Sequence, residues 1–293
     1  MKNKIILILG AIGLLSFSFV PSEAPLTELA PPVYQTENVI ILIIDGPRMS
    51  ETFGDPSHQY IPHLYEDLKP QGVLFTNFKN NGVTTTNSGH TAICTGVYQS
   101  VKNNGSELPK QPTIFQYYLK SSAKSKDKAW VLASKGKLNV LANSSHKDWF
   151  NSYMPSHYCG PNGNGAEYTG DINTWNKAIE VMDEDQPNLM LINLLEVDTR
   201  AHAGQWENYL KAIVKTDDYA NRLWLYLQEN EHYKGKTTLI ITNDHGRHLD
   251  DRRTGYREHG DGCDGCRSIY MLGLGPDFDK NKVVTEEYEQ IDL

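Results

Sequence analysis

The chain has 293 residues, with 28 Lys and Arg against 36 Asp and Glu, a formal charge of −8. Hydrophobic residues at 39% and charged residues at 22% are ordinary globular values, which argues against a disordered chain and against a multispan membrane protein. The acidic balance also argues against nucleic acid as the main partner, because phosphate backbones are held by basic surfaces; a small anion bound locally remains open.

Taken in chain order, the first residues have the pattern of an address. Lys2 and Lys4 precede an apolar run from Ile5 to Phe19, followed by Val20, Pro21 and small or polar residues. That is the order of a secretory signal, expected over residues 1–24, with Ser16-Phe17-Ser18 and Ser22-Glu23-Ala24 both open as cleavage signals. It predicts a periplasmic or secreted protein. An uncleaved membrane anchor is the competing reading, although roughly 15 apolar residues fall short of the usual span of about 20.

Beyond about Val33, short β-rich runs alternate with amphipathic stretches. Val39–Ile44 is a near-continuous β-branched run, the mark of a strand buried on both faces of a parallel sheet. Leu64 and Leu68 fall on a helix, and Gly72 turns the chain into a strand over Val73–Phe78. Thr113–Leu119 reads as helix, Ala129–Ala133 as strand, Asn173–Met182 as helix and Leu189–Leu195 as a second buried strand. Gln205–Gln228, with Leu210, Ile213, Leu223 and Leu227 at helical spacing, is a long helix. Thr237–Thr242 and Ile269–Leu274 complete at least five strands. The alternation predicts an α/β/α sandwich around a mostly parallel sheet, formed by one domain over residues 33–293. Residues 143–170, rich in Ser, Asn, Gly, His and aromatics without period, read as an irregular excursion over one end of the sheet.

Three of the predicted strands run into acidic clusters. The first ends at Asp45-Gly46, the Leu189–Leu195 strand is followed by Asp198 and His202, and Thr237–Thr242 leads to Asp244-His245. Ligands of open α/β sheets bind beyond the carboxyl ends of strands, so these residues should surround one crevice. Carboxylate and imidazole without thiolate suit divalent zinc better than manganese or iron. Two such ions would remove the mutual repulsion of the carboxylates. Each cluster alone also fits a blander reading, a turn residue, an exposed i, i+4 pair or a capping Asp; one dinuclear site explains all three. Between the first cluster and the rest, a polar turn and small-residue helix from Thr84 to Gly96 offers a hydroxyl nucleophile at a helix N-terminus. On this basis Thr85, Thr86 and Ser88 are equally open. Four cysteines, Cys94, Cys159, Cys263 and Cys266, allow three pairings in an exported chain. Cys263-Asp-Gly-Cys266 reads as a structural bridge or free thiols in preference to a redox pair or half of a metal site.

These motifs, from Val39 to the C-terminus, resemble the alkaline phosphatase superfamily, in the branch of nucleotide pyrophosphatase/phosphodiesterases and threonine-nucleophile alkaline phosphatases. Asp45-Gly-Pro-Arg48 resembles the first metal motif. Thr86-Asn-Ser-Gly-His90 through Thr95-Gly96 is similar to the nucleophile motif and selects Thr86. Asp198-x3-His202, Asp244-His245-Gly246 and Glu258-His259-Gly260 match the remaining ligand motifs. The resemblance implies one zinc on Asp198, His202 and His259 and another on Asp45, Asp244, His245 and Thr86. It implies a substrate contact from Asn104, or from Asn103 if the register slips, and a supporting role for His90. Ser134-Lys135-Gly-Lys137 resembles the Lys-x-Arg segment of the phosphomonoesterases, with Lys137 in place of Arg; two cations there suit a monoester dianion. Arg247 and His248 carry no implied role.

The expected activity is therefore hydrolysis of small phosphate esters, most simply monoesters, through a phosphothreonine intermediate. A phosphodiesterase or nucleotide pyrophosphatase is the alternative enzyme, and a non-catalytic member that keeps the fold the alternative of another class. A sulfatase is disfavoured, because no Cys- or Ser-x-Pro-x-Arg motif is present. Compared with the family, the chain is short and ends at Tyr288–Leu293, where a further helix is expected; a C-terminally truncated fragment is one reading.

Overall fold

A computed structural model describes residues 33–163 and 167–293. The signal segment and the anchor alternative lie outside the described residues; among the described residues no helix is long and apolar enough to cross a membrane. Tyr34–Leu293 form one compact unit.

Among the described residues the strands are β1 (Asn38–Ile44), β2 (Gly72–Lys79), β3 (Ala129–Ala133), β4 (Ser156–Cys159), β5 (Leu189–Leu194), β6 (Thr237–Thr242), β7 (Ser268–Leu274), β8 (Lys282–Val284) and β9 (Tyr288–Glu289). They form one sheet in the order β4-β3-β5-β1-β6-β7-β2-β8, with β9 beside β2. β7 runs antiparallel to both of its neighbours, and the remaining pairings are parallel. The helices are α1 (Thr86–Thr95), α2 (Ile114–Ser122), α3 (Asp171–Glu184), α4 (Glu196–His202), α5 (Trp206–Glu229) and α6 (Asp264–Arg267).

Alternation along the central strands explains the layers. Ile40, Leu42 and Ile44 of β1, with Met190, Ile192 and Leu194 of β5, pack on the face covered by α3 and α5. Ile41 and Ile43 point the other way, with Val131, Ala133 and Leu191, toward Ile93 of α1 and Phe115 of α2. A strand that is apolar on both faces must be roofed on both, which gives the α/β/α sandwich.

Two expectations change. Residues 143–170 are not irregular throughout, since β4 lies inside them and pairs with β3 as an edge strand. Four residues with a single neighbour carry too little alternation to stand out from the sequence. The helix expected from Asn173 starts at Asp171, whose buried carboxylate accepts the N–H groups of Leu195 (2.8 Å) and Glu196 (3.0 Å) and so ties α3 to the end of β5.

Candidate active site

β1, β5 and β6 are neighbours, so the residues beyond their carboxyl ends are brought together. Asp45 leaves β1 fully buried, and its Oδ2 accepts from Asn193 Nδ2 on β5 at 3.1 Å. Gly46 has φ of +67°, and a Cβ there would lie 2.9 Å from the His245 ring, so glycine lets the two strand ends close. α4 begins two residues after β5, and its i, i+4 spacing sets His202 Nε2 3.2 Å from Asp198 Oδ1. His259 arrives from the loop between β6 and β7. Its Nδ1 meets the Thr84 carbonyl at 2.9 Å, which turns Nε2 to within 3.1 Å of His202 Nε2 and 3.5 Å of Asp198 Oδ1. His245 stacks on the His259 ring at 3.8 Å.

Thr86 opens α1 behind Thr85, the helix-capping residue in extended conformation. α1 comes unusually close to the β6 end, because a Cβ on Gly89 would lie 2.5 Å from the Asp244 carbonyl oxygen. His90, one turn after Thr86, has both nitrogens engaged. Nδ1 faces the Thr86 carbonyl (2.9 Å) and Asp244 Oδ2 (3.2 Å), and Nε2 faces Asn193 Nδ2 (3.1 Å). It thus braces α1 against the ends of two strands.

The cations near these carboxylates were less legible. Lys135, 1% exposed, follows β3 and turns inward. Its Nζ donates to Asp45 Oδ1 (2.8 Å), Asp198 Oδ2 (2.5 Å) and Thr86 Oγ1 (3.1 Å). Where the sequence suggested a substrate contact, the Asp45 and Asp198 carboxylates at the strand ends hold the ammonium between them, beside Thr86. Arg247, fully buried, donates to Asp198 Oδ1 and to the carbonyls of Asp198 (3.1 Å) and Gly46 (3.0 Å). The sequence placed it near the site without a role; its position directly after Asp244-His245-Gly246 was the available signal. Lys137 sits in the helical turn Gly136–Ala142, and its Nζ donates to the Asn103 carbonyl (3.2 Å) and side chain (3.1 Å). Asn103 Oδ1 also accepts the Asn87 N–H at 3.0 Å, beside Thr86. Both asparagines are exposed, and Asn104 does not join this group, because it caps its own turn by accepting from Ser106 N and Oγ.

Electrostatics follow from burial and charge. Burial alone would raise the Asp198 carboxyl, but Lys135 and Arg247 hold it well below the ordinary range. Asp45 goes the other way, raised by burial and by Asp244. Burial also keeps the His245 ring neutral, well below its ordinary pKa. Lys137 is pushed down to about 8 by burial and then by Lys135. Lys135 stays protonated, because Asp198 and Asp45 outweigh its burial.

The donors fit divalent cations. Asp198, His202 and His259 each offer an atom within 4.8 Å of the others, as do Asp45, Asp198 and His245. His245 Nε2 is buried without a hydrogen-bond partner 3.4 Å from Asp244 Oδ2, which has only His90 Nδ1 beside it at 3.2 Å, and Asp45 Oδ1 lies 3.7 Å from the same His245 nitrogen. Buried acceptors facing one another in this way are costly unless a cation sits between them. Neutral imidazole and carboxylate are the ligand types that zinc-class ions take.

Comparison with solved structures finds the same fold in proteins of low identity. A protein of the alkaline phosphatase superfamily from Vibrio parahaemolyticus is 15% identical with a TM-score of 0.59 over 88% of this chain and 64% of its own. The lipoteichoic acid synthase of Listeria monocytogenes is 12% identical, TM-score 0.62, over 87% of this chain and 69% of that one. A phosphonate monoester hydrolase from Silicibacter pomeroyi is 14% identical, TM-score 0.59, over 88% and 72%. The chain therefore spans about two thirds of the length of these structures. Comparison with curated proteins yields no match. A family model, type I phosphodiesterase / nucleotide pyrophosphatase, matches residues 39–248. That match takes in Val39–Ile44 of β1, Thr86, α4 and the Asp244-His245 pair, and the chain belongs to this family.

Proposed function

We propose that the chain is an exported hydrolase of phosphate esters, most simply monoesters, acting through Thr86. The observation that carries this reading is the gathering of Asp45, Asp198, Asp244, His202, His245 and His259 at the strand ends, linked to the Thr86 hydroxyl by Lys135, whose Nζ contacts Asp45, Asp198 and Thr86 together. Asp198, His202 and His259 would hold one ion, and Asp45, Asp244 and His245, with Thr86, a second, zinc being favoured by the ligand chemistry. Bound there, the ions would supply Lewis-acid activation and neutralise charge on the attacking and leaving oxygens.

The chain's own groups divide the remaining work. Lys135 Nζ donates to Thr86 Oγ1, which favours the ionised hydroxyl as it attacks phosphorus. The bond from Thr86 Oγ to phosphorus forms as the bond to the departing alkoxide breaks, and the alkoxide is protonated. Water then cleaves the phosphothreonine, regenerating the hydroxyl and releasing phosphate. Lys137 and Asn103, at the open end of α1, address the non-bridging oxygens; a monoester presents about one more negative charge there than a diester, which suits an ammonium. Arg247 and His90 are positioning residues, for Asp198 and for α1.

Phosphodiester or pyrophosphate cleavage is the second reading, favoured by the description of the matching family. Turnover of monoester, diester and sulfate-ester substrates by the zinc-loaded protein separates the readings. Thr86→Ala should abolish turnover and Thr86→Ser retain part of it. Full activity in Thr86→Ala would reject the nucleophile, and a parent that prefers diesters would promote the second reading.

A further inference from the structure

Away from the Thr86 cluster, a second set of donors converges where the loop beyond β6 meets the turn into α6. The two segments are packed tightly. Gly246 N donates to the Cys266 carbonyl at 2.8 Å, and a Cβ on Gly265 would lie 2.3 Å from the Arg247 carbonyl oxygen. Across this contact His248, Asp261, Cys263 and Cys266 each present one donor atom, all within 4.8 Å of one another. His248 Nε2 lies 3.2 Å from Asp261 Oδ1, Cys266 Sγ 3.6 Å from the same oxygen, and the two sulfurs 3.4 Å apart. A tetrahedral zinc ion, with bonds of about 2.3 Å to sulfur and about 2.0–2.1 Å to nitrogen or oxygen, spaces its ligands about 3.8 Å for S and S, about 3.5 Å for S and O, and about 3.3 Å for N and O. The three observed separations match these to within a few tenths of an ångström.

A second observation points the same way. His248 Nε2 is buried and makes no hydrogen bond, although it lies 3.2 Å from Asp261 Oδ1; with Nδ1 as the donor to Thr254, the Nε2 lone pair is left for a cation. The other ring nitrogen is held by Thr254 Oγ1 at 2.7 Å, the arrangement by which a coordinating imidazole is usually oriented from behind. Asp261 Oδ1 is steadied by the Cys263 N–H at 3.0 Å.

We propose that His248, Asp261, Cys263 and Cys266 bind a single zinc-class ion, separate from the ions expected around Thr86. Two thiolates, an imidazole and a carboxylate form a closed four-ligand set of the structural kind, softer than the thiolate-free set beside Thr86. The ion joins the two ends of the 249–260 excursion. His245 lies three residues before one ligand and His259 two residues before another, so the site clamps the base of the loop that delivers His259. The proposal does not rest on the reaction catalysed at Thr86.

Cobalt(II) tests it, because among the described residues this is the one candidate metal cluster that offers thiolates. The full chain is reduced, stripped of metal with a chelator and titrated with cobalt(II) while near-ultraviolet absorption is followed. A thiolate-to-cobalt charge-transfer band with the final intensity of one two-thiolate site per chain is expected, and it should persist in Thr86→Ala. The band should weaken in Cys263→Ser or Cys266→Ser, each of which leaves one thiolate, and vanish in the double variant. Thr254→Val, which touches no ligand atom directly, should weaken cobalt binding about tenfold. Absence of the band in reduced parent protein of native circular dichroism overturns the proposal, and so does a Cys263–Cys266 disulfide found by mass spectrometry in protein isolated without oxidant.

Discussion

Replacing Lys135 by Met tests whether the strand-end carboxylates are held for cations. The ammonium is 1% exposed and lies 2.8 Å from Asp45 and 2.5 Å from Asp198. At these distances each attraction is roughly 6 kcal/mol with an effective dielectric constant of about 20, before the cost of removing the charges from water. Breaking a buried ion pair by deleting one partner costs about 3–5 kcal/mol, because the other partner is left uncompensated. For a domain of this size that corresponds to a fall in Tm of about 6–20 °C. Two divalent ions on the same carboxylates would replace the lost charge, so in zinc the loss should shrink to about 1 kcal/mol. Calorimetry of Lys135→Met and parent, in chelator and in excess zinc, measures both. An equal loss in the two conditions would refute the assignment of Asp45 and Asp198 as metal ligands, and no loss in chelator would refute the ion-pair geometry.

Three further outcomes are expected. Lys137, held down to about 8 chiefly by burial, is charged below that pH and neutral above it. Its contribution to monoester turnover should therefore fall as pH rises through 8, and Lys137→Arg should extend activity to higher pH, read from pH–rate profiles of both proteins. Burial pushes Asp217 up to about 6 while it accepts the N–H groups of His63 and Leu64. A folded pKa above the unfolded value of about 3.9 means that the folded state binds more protons between them, so stability should fall by about 2–3 kcal/mol from about pH 4 to about pH 6. Urea denaturation of Asp217→Asn should lack that part of the slope. Gly89→Ala sets a methyl 2.5 Å from the Asp244 carbonyl, so α1 must move. A stability loss of about 1–3 kcal/mol with roughly a tenfold loss of turnover is expected, and unchanged activity would show that this close contact does not position Thr86.

Much of the fold could be read from local pattern. Ile40 to Ile44 alternate between two apolar layers, a demand that no edge strand or surface helix makes, and Ala129–Ala133 and Thr237–Thr242 are bounded as expected. The strand-end motifs were also legible, because polar residues directly after a buried strand fall on one rim whatever the loops do. Four-residue β4 and the three- and two-residue strands β8 and β9 were not, since their pairing is decided by neighbours distant in sequence.

The roles of cations and turns had to wait for tertiary structure. Lys135 and Lys137 are two residues apart and look alike in sequence, yet one is held between Asp45 and Asp198 and the other reaches Asn103. Asn103 and Asn104 are both exposed and differ by one position in a turn, yet only Asn103 bonds Asn87 of α1 and Lys137. Cys263-x-x-Cys266 gains its companions His248 and Asp261 only when the 249–260 excursion closes on itself. Periodicity records which face of an element must be buried, whereas a charge or a lone pair takes its meaning from groups that the fold brings to within about 4 Å.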